Sequence, residues 1–133
     1  MPDRLYILHV EDDADDAELL QDAFKDNGIS VCIEVVTTGD KVMPLLTQGT
    51  RLPDVIVMDL NLPKIHGKDV LKALKANEKL KSIPVVILTT SSSADDKAYC
   101  IQNGADKFIT KPYTAEGFTL TISLITSVVP VWP

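Results

Sequence analysis

The sequence predicts an α/β fold, a doubly wound, five-stranded parallel sheet with helices on both faces. Short apolar runs rich in β-branched residues alternate with segments of helical periodicity along the whole chain. The runs VIVMDL and PVVILTT are apolar at consecutive positions, as strands buried on both faces must be. Strict alternation of strand and helix implies right-handed crossovers, which place helices on both faces of the sheet.

Five runs are predicted strands: LYILHV, VCIEVV, VIVMDL, PVVILTT and KFIT. The first helix is indicated by Ala17, Leu20 and Phe24, which recur at spacings of three and four before Gly28 ends the pattern. Four further helices are predicted around these segments: Asp40 to Gly49, the residues near Val70, Leu71 and Leu74, Ala94 to Asn103, and Ala115 to Val129.

Length, hydropathy and charge exclude several classes of protein. A chain of 133 residues has the usual size of one domain, and we expect residues 1–133 to form a single domain with a core at about 5–127 and an apolar tail at 128–133. No apolar run reaches the roughly 18 residues of a membrane span, and the N-terminus does not resemble an export signal, so a cytoplasmic protein is expected. The net charge of −6 argues against nucleic acid as a partner.

The two cysteines and two histidines do not form a metal site by spacing. Cys32 and Cys100 are far apart and lack the Cys or His neighbours of a zinc site, so both are expected to be free, partly buried thiols. His9 falls in an apolar run and is predicted to lie in the core, whereas His66 is predicted to lie in an exposed loop.

A dense cluster of acids follows the first predicted strand. Five carboxylates stand within six residues: Glu11, Asp12, Asp13, Asp15 and Asp16. Adjacent carboxylates repel one another, so the cluster requires either a helix start or a bound cation. Asp13, Asp15 and Asp16 suit a helix start, where carboxylates cap free amides and meet the positive end of the helix dipole. Glu11 and Asp12 remain for a cation.

Polar side chains also follow the later strands. Asp59, Thr89 and Lys111 stand at the ends of the third, fourth and fifth runs, and in a doubly wound sheet these ends meet at the edge where ligands bind. Carboxylates suit Mg²⁺, which leaves coordination positions open for phosphate oxygens. Asp59 is best placed to attack phosphorus, with Lys111 and Thr89 stabilising the phosphoryl oxygens. Taken singly, Asp59 could merely cap a loop and Lys111 could be a solvated charge.

Four segments in order, VEDD, VIVMDLNLP, PVVILTTS and FITKP, resemble the signature segments of the receiver domain of bacterial two-component response regulators. The resemblance covers residues 5–127 and implies the flavodoxin-like receiver fold. It implies that Asp59 accepts a phosphoryl group from a histidine kinase, that Asp12 binds Mg²⁺ directly, and that Glu11 does so mostly through water. Asp59 itself and the backbone carbonyl of Asn61 complete the implied metal ligands.

The same resemblance assigns roles to further residues. Thr89 and Lys111 match the family's hydroxyl and lysine, and Phe108 matches the switch aromatic that turns inward when Thr89 moves. Pro112 implies a cis peptide after Lys111. Three residues near the implied acceptor and hydroxyl are candidates for tuning the dephosphorylation rate: Asn61, Thr90 and Ser91. The alternative interpretation of Thr90 and Ser91 is a loop without such a role.

The segment from Leu62 to Ser92 looks most like stand-alone regulators that are paired with bacterial phytochrome histidine kinases and are dimeric. Only 21 residues follow Pro112, so output by direct protein contact is expected. The last helix has one apolar stripe for the sheet, at Phe118, Ile122, Ile125 and Val129. A second apolar stripe, together with the tail, predicts a homodimer interface made of Leu120, Leu124, Val128 and Trp132. The alternative interpretation is a frayed tail with scattered apolar residues.

The principal alternative is a phosphatase of the haloacid dehalogenase type, which also uses a strand-end Asp, a hydroxyl, a Lys and Mg²⁺. That signature requires an acid two residues after the nucleophile to protonate the leaving group, and this position holds Asn61. The acidic pair also precedes Asp59 instead of following it. Calcium-loop and phosphate-loop motifs are absent from the sequence. We therefore expect a phospho-acceptor switch that catalyses only its own phosphorylation and dephosphorylation.

Overall fold

The computed structural model describes residues 4–49 and 51–130. Within that part of the chain, five strands alternate with five α-helices. The strands are β1 Leu5–Val10, β2 Val31–Val36, β3 Val55–Met58, β4 Val85–Thr89 and β5 Lys107–Thr110. The helices are α1 Ala14–Asp26, α2 Val42–Gln48, α3 Gly67–Ala76, α4 Ala94–Gln102 and α5 Ala115–Ser127, and a 3-10 turn at Gly39–Lys41 leads into α2.

The strands form one parallel sheet in the order β2-β1-β3-β4-β5, which confirms the predicted doubly wound architecture. Val10 pairs with Val36 on one side and with Met58 on the other, and Met58 pairs with Ile87. The last residues of β1, β2 and β3 are therefore level with one another. The chain runs outward from β1 to β2 and then reverses to β3, so the order of strands reverses between β1 and β3, where such sheets bind ligands.

Two apolar clusters cover the two faces of the sheet, because successive strand residues point to opposite sides. One cluster joins Val10, Met58 and Ile87 to α2, α3 and α4. The other joins Ile7, Val57 and further strand residues to α1 and α5. Every residue of β3 and β4 is buried, which explains why their sequences are apolar up to Thr89, the last residue of β4.

The last helix packs on the sheet as predicted. Ile122, Ile125 and Val129 are buried, and Phe118 packs partly buried against the same cluster. The second stripe is less uniform than predicted. Leu120 is 61% exposed and Leu124 is half-buried, but Val128 also packs against the core cluster. Trp132 lies outside the described residues.

Three details differ from the sequence predictions. The peptide before Pro112 is trans, as are all peptide bonds in residues 4–49 and 51–130, so the predicted cis bond is wrong; the trans form is favoured by about 0.5–1 kcal/mol at X–Pro bonds. Both cysteines are free, but Cys32 is exposed because it lies on the edge strand β2, whereas Cys100 is buried. Helix α5 ends at Ser127, two residues before the predicted end.

The two histidines lie in different surroundings, as predicted. His9 is 1% exposed within β1. His66 is exposed, but it also caps α3, since its Nδ1 accepts a hydrogen bond of 3.1 Å from the amide of Lys68. No helix in the described residues is both long enough and apolar enough to cross a membrane.

Candidate functional site at the carboxyl edge of the sheet

The site begins where backbone pairing continues one residue beyond the strands. The amide of Glu11 donates to the carbonyl of Val36 at 2.9 Å, and the amide of Asp59 donates to that of Val10 at 3.0 Å. The amide of Lys111 donates to the carbonyl of Thr89 at 2.8 Å. These bonds fix the backbone of the three charged residues, so their side chains leave the sheet at one edge.

Three carboxylates meet at this edge. Glu11, Asp12 and Asp59 each offer an oxygen, and these oxygens lie within 4.8 Å of one another. Glu11 is 1% exposed and Asp59 is 6% exposed, whereas Asp12 faces solvent. Burying like charges together is unfavourable without a cation. The predicted convergence of the first and third strand ends is thus present.

Lys111 supplies one cation. Its Nζ lies 2.8 Å from Glu11 Oε1, 2.9 Å from Asp59 Oδ2 and 2.7 Å from Asp16 Oδ2. Burial alone would lower the pKa of Lys111, but its hydrogen bonds to Asp16, Glu11 and Asp59 outweigh burial and raise that pKa above its usual value. Lys111 therefore stays an ammonium group at neutral pH.

Asp59 is held from two sides. Its Oδ1 accepts hydrogen bonds from the amides of Leu60 at 2.6 Å and Asn61 at 3.3 Å, and its Oδ2 accepts from Lys111. Burial acts to raise the pKa of Asp59, but hydrogen bonds from Lys111 and Thr89 stabilise the charged form and leave the pKa below its usual value. Asp59 is consequently an ionised carboxylate, as a nucleophile must be.

Glu11 differs from Asp59 although both contact Lys111. Burial raises the pKa of Glu11, and this effect exceeds the opposing hydrogen bond from Lys111. Glu11 Oε2 also accepts a bond of 3.2 Å from the amide of Asp13. The same edge therefore holds one carboxylate with a lowered pKa, Asp59, and one with a raised pKa, Glu11.

The other acids of the cluster divide between the helix and the site. Asp13 is the N-cap of α1, since its Oδ1 accepts from the amides of Asp15 at 2.9 Å and Asp16 at 3.1 Å, which confirms its predicted capping role. Asp15 is exposed in the first turn. The sequence predicts only a helix-start role for Asp16, because no local pattern links this position to Lys111, which its carboxylate contacts.

The remaining predicted residues surround Asp59. Thr89 is fully buried at the end of β4, and its hydroxyl accepts a bond of 3.4 Å from the amide of Ser91. Thr90 is exposed and Ser91 is half-buried, both in the loop between β4 and α4. Phe108 pairs with Ile87 across β4 and β5 and packs, half-buried, against the cluster on the α4 side of the sheet.

The donor set fits a hard divalent cation. Glu11, Asp12, Asp16 and Asp59 bring four negative charges when ionised, and Lys111 neutralises one, which leaves three. Oxygen-only ligands of this kind favour Mg²⁺, Mn²⁺ or Ca²⁺ over metals that prefer nitrogen or sulfur. The edge is therefore a candidate site for a divalent metal beside an ionised aspartate and a lysine.

Comparison with known proteins agrees with this geometry. A family model described as the response regulator receiver domain matches residues 7–123. The chain belongs to the response regulator receiver domain family. Receiver domains act in two-component signalling, where histidine kinases phosphorylate them on an aspartate, and they are phospho-acceptor switches instead of classical enzymes. The sequence resemblance is thereby confirmed.

Two relatives are similar to this receiver in sequence over most of their length. The probable methanogenesis regulatory protein FilR2 of Methanothrix harundinacea is 36% identical over 127 residues, covering 92% of this chain and 82% of that protein. The response regulator Rcp1 of Synechocystis is 37% identical over 110 residues, covering 79% and 75%.

Solved structures give the same result. The crystal structure of the Mn²⁺-bound form of Rcp1 has a TM-score of 0.83 at 32% identity and covers 96% of each chain. The phosphorylated cyanobacterial phytochrome response regulator RcpA has a TM-score of 0.85 at 30% identity, covering 98% of this chain and 96% of that one. This receiver is thus similar to phytochrome-associated response regulators, as predicted.

Proposed function

We propose that this receiver takes a phosphoryl group on Asp59 from a sensor histidine kinase, with Mg²⁺ as cofactor. The observation that carries the proposal is the environment of the Asp59 carboxylate. It is ionised, fixed by two backbone amides and an ammonium group, and lies within reach of two further carboxylates. Among carboxylates of the described site, Asp59 alone combines burial with a lowered pKa.

In the proposed reaction, a carboxylate oxygen of Asp59 attacks the phosphorus of phosphohistidine. A P–O bond forms as the P–N bond breaks, and the leaving imidazole takes up a proton. Lys111 would neutralise the phosphoryl oxygens, and the Thr89 hydroxyl would donate a hydrogen bond to one of them. Because Asp59 is already ionised, no base is needed to activate it.

Asp12, Asp59 and the backbone carbonyl of Asn61 would hold Mg²⁺, and Glu11 would contact it through water. The support is the oxygen donor set, the surplus of three negative charges and the Mn²⁺-bound form known for Rcp1. When bound, the metal supplies positive charge beside the phosphoryl oxygens. Lys111 then needs to neutralise only part of the cluster.

The signalling change would pass from Thr89 to Phe108. Thr89 moves towards the phosphoryl group, and the space it leaves admits Phe108, which is half-buried on the neighbouring strand. Three residues would tune hydrolysis of the acyl phosphate through access to it: Asn61, Thr90 and Ser91. Asn61 and Thr90 are exposed at this edge, which supports that role.

Intact mass spectrometry after incubation with Mg²⁺ and acetyl phosphate tests the acceptor. Wild type should gain one phosphoryl group, and Asp59→Asn should gain none. Asp15→Asn is the matched control, because Asp15 is an exposed acid of the same cluster, and it should label like wild type. Equal labelling of Asp59→Asn would exclude the assignment. Multiple-turnover release of phosphate from diverse phosphomonoesters would favour the haloacid dehalogenase alternative.

We further propose a symmetric homodimer through the α5 face, with a phytochrome-type histidine kinase as the upstream partner. The proposed interface includes Leu120, Leu124, Val128 and Trp132. Leu120 on α5 is 61% exposed and Ile101 on α4 is 45% exposed, so large apolar side chains face solvent on both helices. The likeness to phytochrome-associated regulators supports the choice of kinase.

Light scattering tests this interface. Leu120→Glu should reduce the mass of the particle from dimer to monomer, because a charge cannot be buried there unpaired. Leu19→Glu, which changes an equally apolar, 48% exposed residue on α1, should leave the dimer intact. A monomeric wild type, or a Leu120→Glu protein that remains dimeric, contradicts the proposed interface.

A further inference from the structure

The loop between β4 and α4, residues 90–93, is tied to two helices by one carboxylate. Asp96 Oδ2 accepts a hydrogen bond of 2.7 Å from the Ser91 hydroxyl. Asp96 Oδ1 lies 2.6 Å from Lys68 Nζ. Asp96 belongs to the first turn of α4 and Lys68 to the first turn of α3. We call Ser91, Asp96 and Lys68 the loop tether.

Ser91 connects this tether directly to the site. Its amide donates to the Thr89 hydroxyl at 3.4 Å, and its carbonyl accepts from the Thr110 hydroxyl, at the end of β5, at 3.2 Å. Its own hydroxyl donates to Asp96 and accepts from the amide of Ser93 at 3.2 Å. The amide, carbonyl and hydroxyl of Ser91 are thus all hydrogen-bonded. Ser91 connects Thr89 to Asp96 on α4, and Asp96 connects both to Lys68 on α3.

Lys68 is itself held in place. Its Nζ lies 5.1 Å from the centroid of the Tyr99 ring on α4, a distance at which a cation is attracted to the ring face. The hydrogen bond between the two charged groups raises the pKa of Lys68 and lowers that of Asp96, so both are charged at neutral pH. Their side chains are 29% and 27% exposed, so dissolved salt can screen the pair.

We propose that Lys68 and Asp96 are positioning residues which hold Ser91, and through it Thr89, in the arrangement of the unphosphorylated receiver and so slow phosphorylation. This inference rests on the proposed phosphorylation of Asp59. Movement of Thr89 towards a phosphoryl group carries the Ser91 amide with it, since the two are hydrogen-bonded. The Ser91 hydroxyl is hydrogen-bonded to Asp96 on α4, and Asp96 is paired with Lys68 on α3. Movement of Thr89 and Ser91 must therefore stretch or break the tether.

The rate of labelling by acetyl phosphate with Mg²⁺, followed by intact mass, tests the tether. Lys68→Met should label about two- to fourfold faster than wild type, the size expected when a partly exposed ion pair is lost. Lys68→Arg keeps the cation and should restore the wild-type rate. Lys72→Met is the matched control, because it removes an exposed lysine one turn further along α3, and its rate should equal that of wild type.

Two further measurements separate positioning from a purely structural role. We expect the ratio of the Lys68→Met labelling rate to the Lys72→Met labelling rate to fall towards one as the NaCl concentration rises. Salt screens the ion pair between Lys68 and Asp96, which only Lys72→Met retains, so the labelling rate of Lys72→Met should rise towards that of Lys68→Met. The double variant Lys68→Met/Asp96→Asn should label no faster than the faster single variant, since both remove the same contact.

Three results would overturn the tether: equal rates for Lys68→Met and wild type, a faster rate shared by Lys68→Arg, or a ratio that does not change with salt. If the rates are equal, a fall in the melting temperature of Lys68→Met would show that the pair is purely structural. Failure of wild type to label at all is a different outcome, and it contradicts the proposed function instead.

Discussion

Lys111 is the residue that makes the acidic edge of the sheet compatible with folding. Its ammonium group contacts Glu11, Asp16 and Asp59, three carboxylates that would otherwise repel one another. The contacts do not make these acids alike. Asp59 receives two backbone amides as well and has a lowered pKa, whereas burial dominates at Glu11 and raises its pKa. Local surroundings thus separate the proposed nucleophile, Asp59, from the proposed metal ligand, Glu11, although both are carboxylates.

The buried His9 should make the free energy of unfolding depend on pH. Burial, assisted by the charge of Lys111, lowers its pKa from 6.5 to about 4. Between these values the unfolded chain binds a proton that the folded protein excludes, so the free energy of unfolding falls as pH decreases from 6.5 towards 4. From pH 7 to pH 4.5, wild type should lose about 2 to 3 kcal/mol more than His9→Phe in urea unfolding.

The control for this prediction is Ile7→Val. It alters another buried residue of β1 and removes no titratable group, so its free energy of unfolding should be lower at every pH but should follow pH as wild type does. If the free energy of unfolding changes with pH equally in wild type and His9→Phe, His9 is not the source of the pH dependence.

Among the elements, α3 begins directly beside the backbone of Asp59, the proposed acceptor. The amide of Gly67 donates to the carbonyl of Leu60 at 2.8 Å. A Cβ at position 67 would clash with the carbonyl oxygen of Asp59 and would lie 2.7 Å from the Cα of Leu60, closer than real Cβ atoms come. The first turn of α3 therefore sits directly against the backbone that orients Asp59, and glycine is required there by space.

Gly67→Ala should be destabilising although alanine is the better helix former. An exposed Gly-to-Ala change within a helix gains up to about 1 kcal/mol, but the clash here should give a net loss of about 1 to 3 kcal/mol. Displacement of the Asp59 backbone should also slow labelling by acetyl phosphate. Urea unfolding and intact mass measure the two effects.

Ala73→Gly, at an exposed position of the same helix, is the comparison. It should cost about 1 kcal/mol through helix propensity and leave labelling unchanged. A Gly67→Ala protein as stable and as reactive as wild type would show that the backbone at the end of β3 yields without consequence.

At the scale of the whole molecule, the reversal of strand order between β1 and β3 assembles the site. Residues from four distant parts of the sequence reach one edge because every strand is parallel and ends at a similar level. The loop tether and the bond from Thr110 to Ser91 extend the same edge to α3, α4 and β5. These contacts link the edge that holds Asp59 to three further elements of the fold.

Much of this could be predicted from sequence because it depends on local patterns. Continuous apolar runs identify buried strands, and the residue after each run identifies the edge where Asp59 and Lys111 meet. What escaped prediction depends on how separate elements pack. The bond from Asp16 to Lys111 and the tether through Lys68 join elements with no shared sequence pattern, and the exposure of Cys32 depends on how little covers an edge strand.

The most direct test of the account is localisation of the phosphoryl group within the chain. Wild type labelled with acetyl phosphate and Mg²⁺ is treated with borohydride, which reduces an acyl phosphate to an alcohol, and its peptides are then sequenced by tandem mass spectrometry. Reduction is expected at a single residue, Asp59, and it should disappear when the divalent metal is chelated before labelling. Reduction at Asp12, at Glu11 or at any other carboxylate in its place would contradict it.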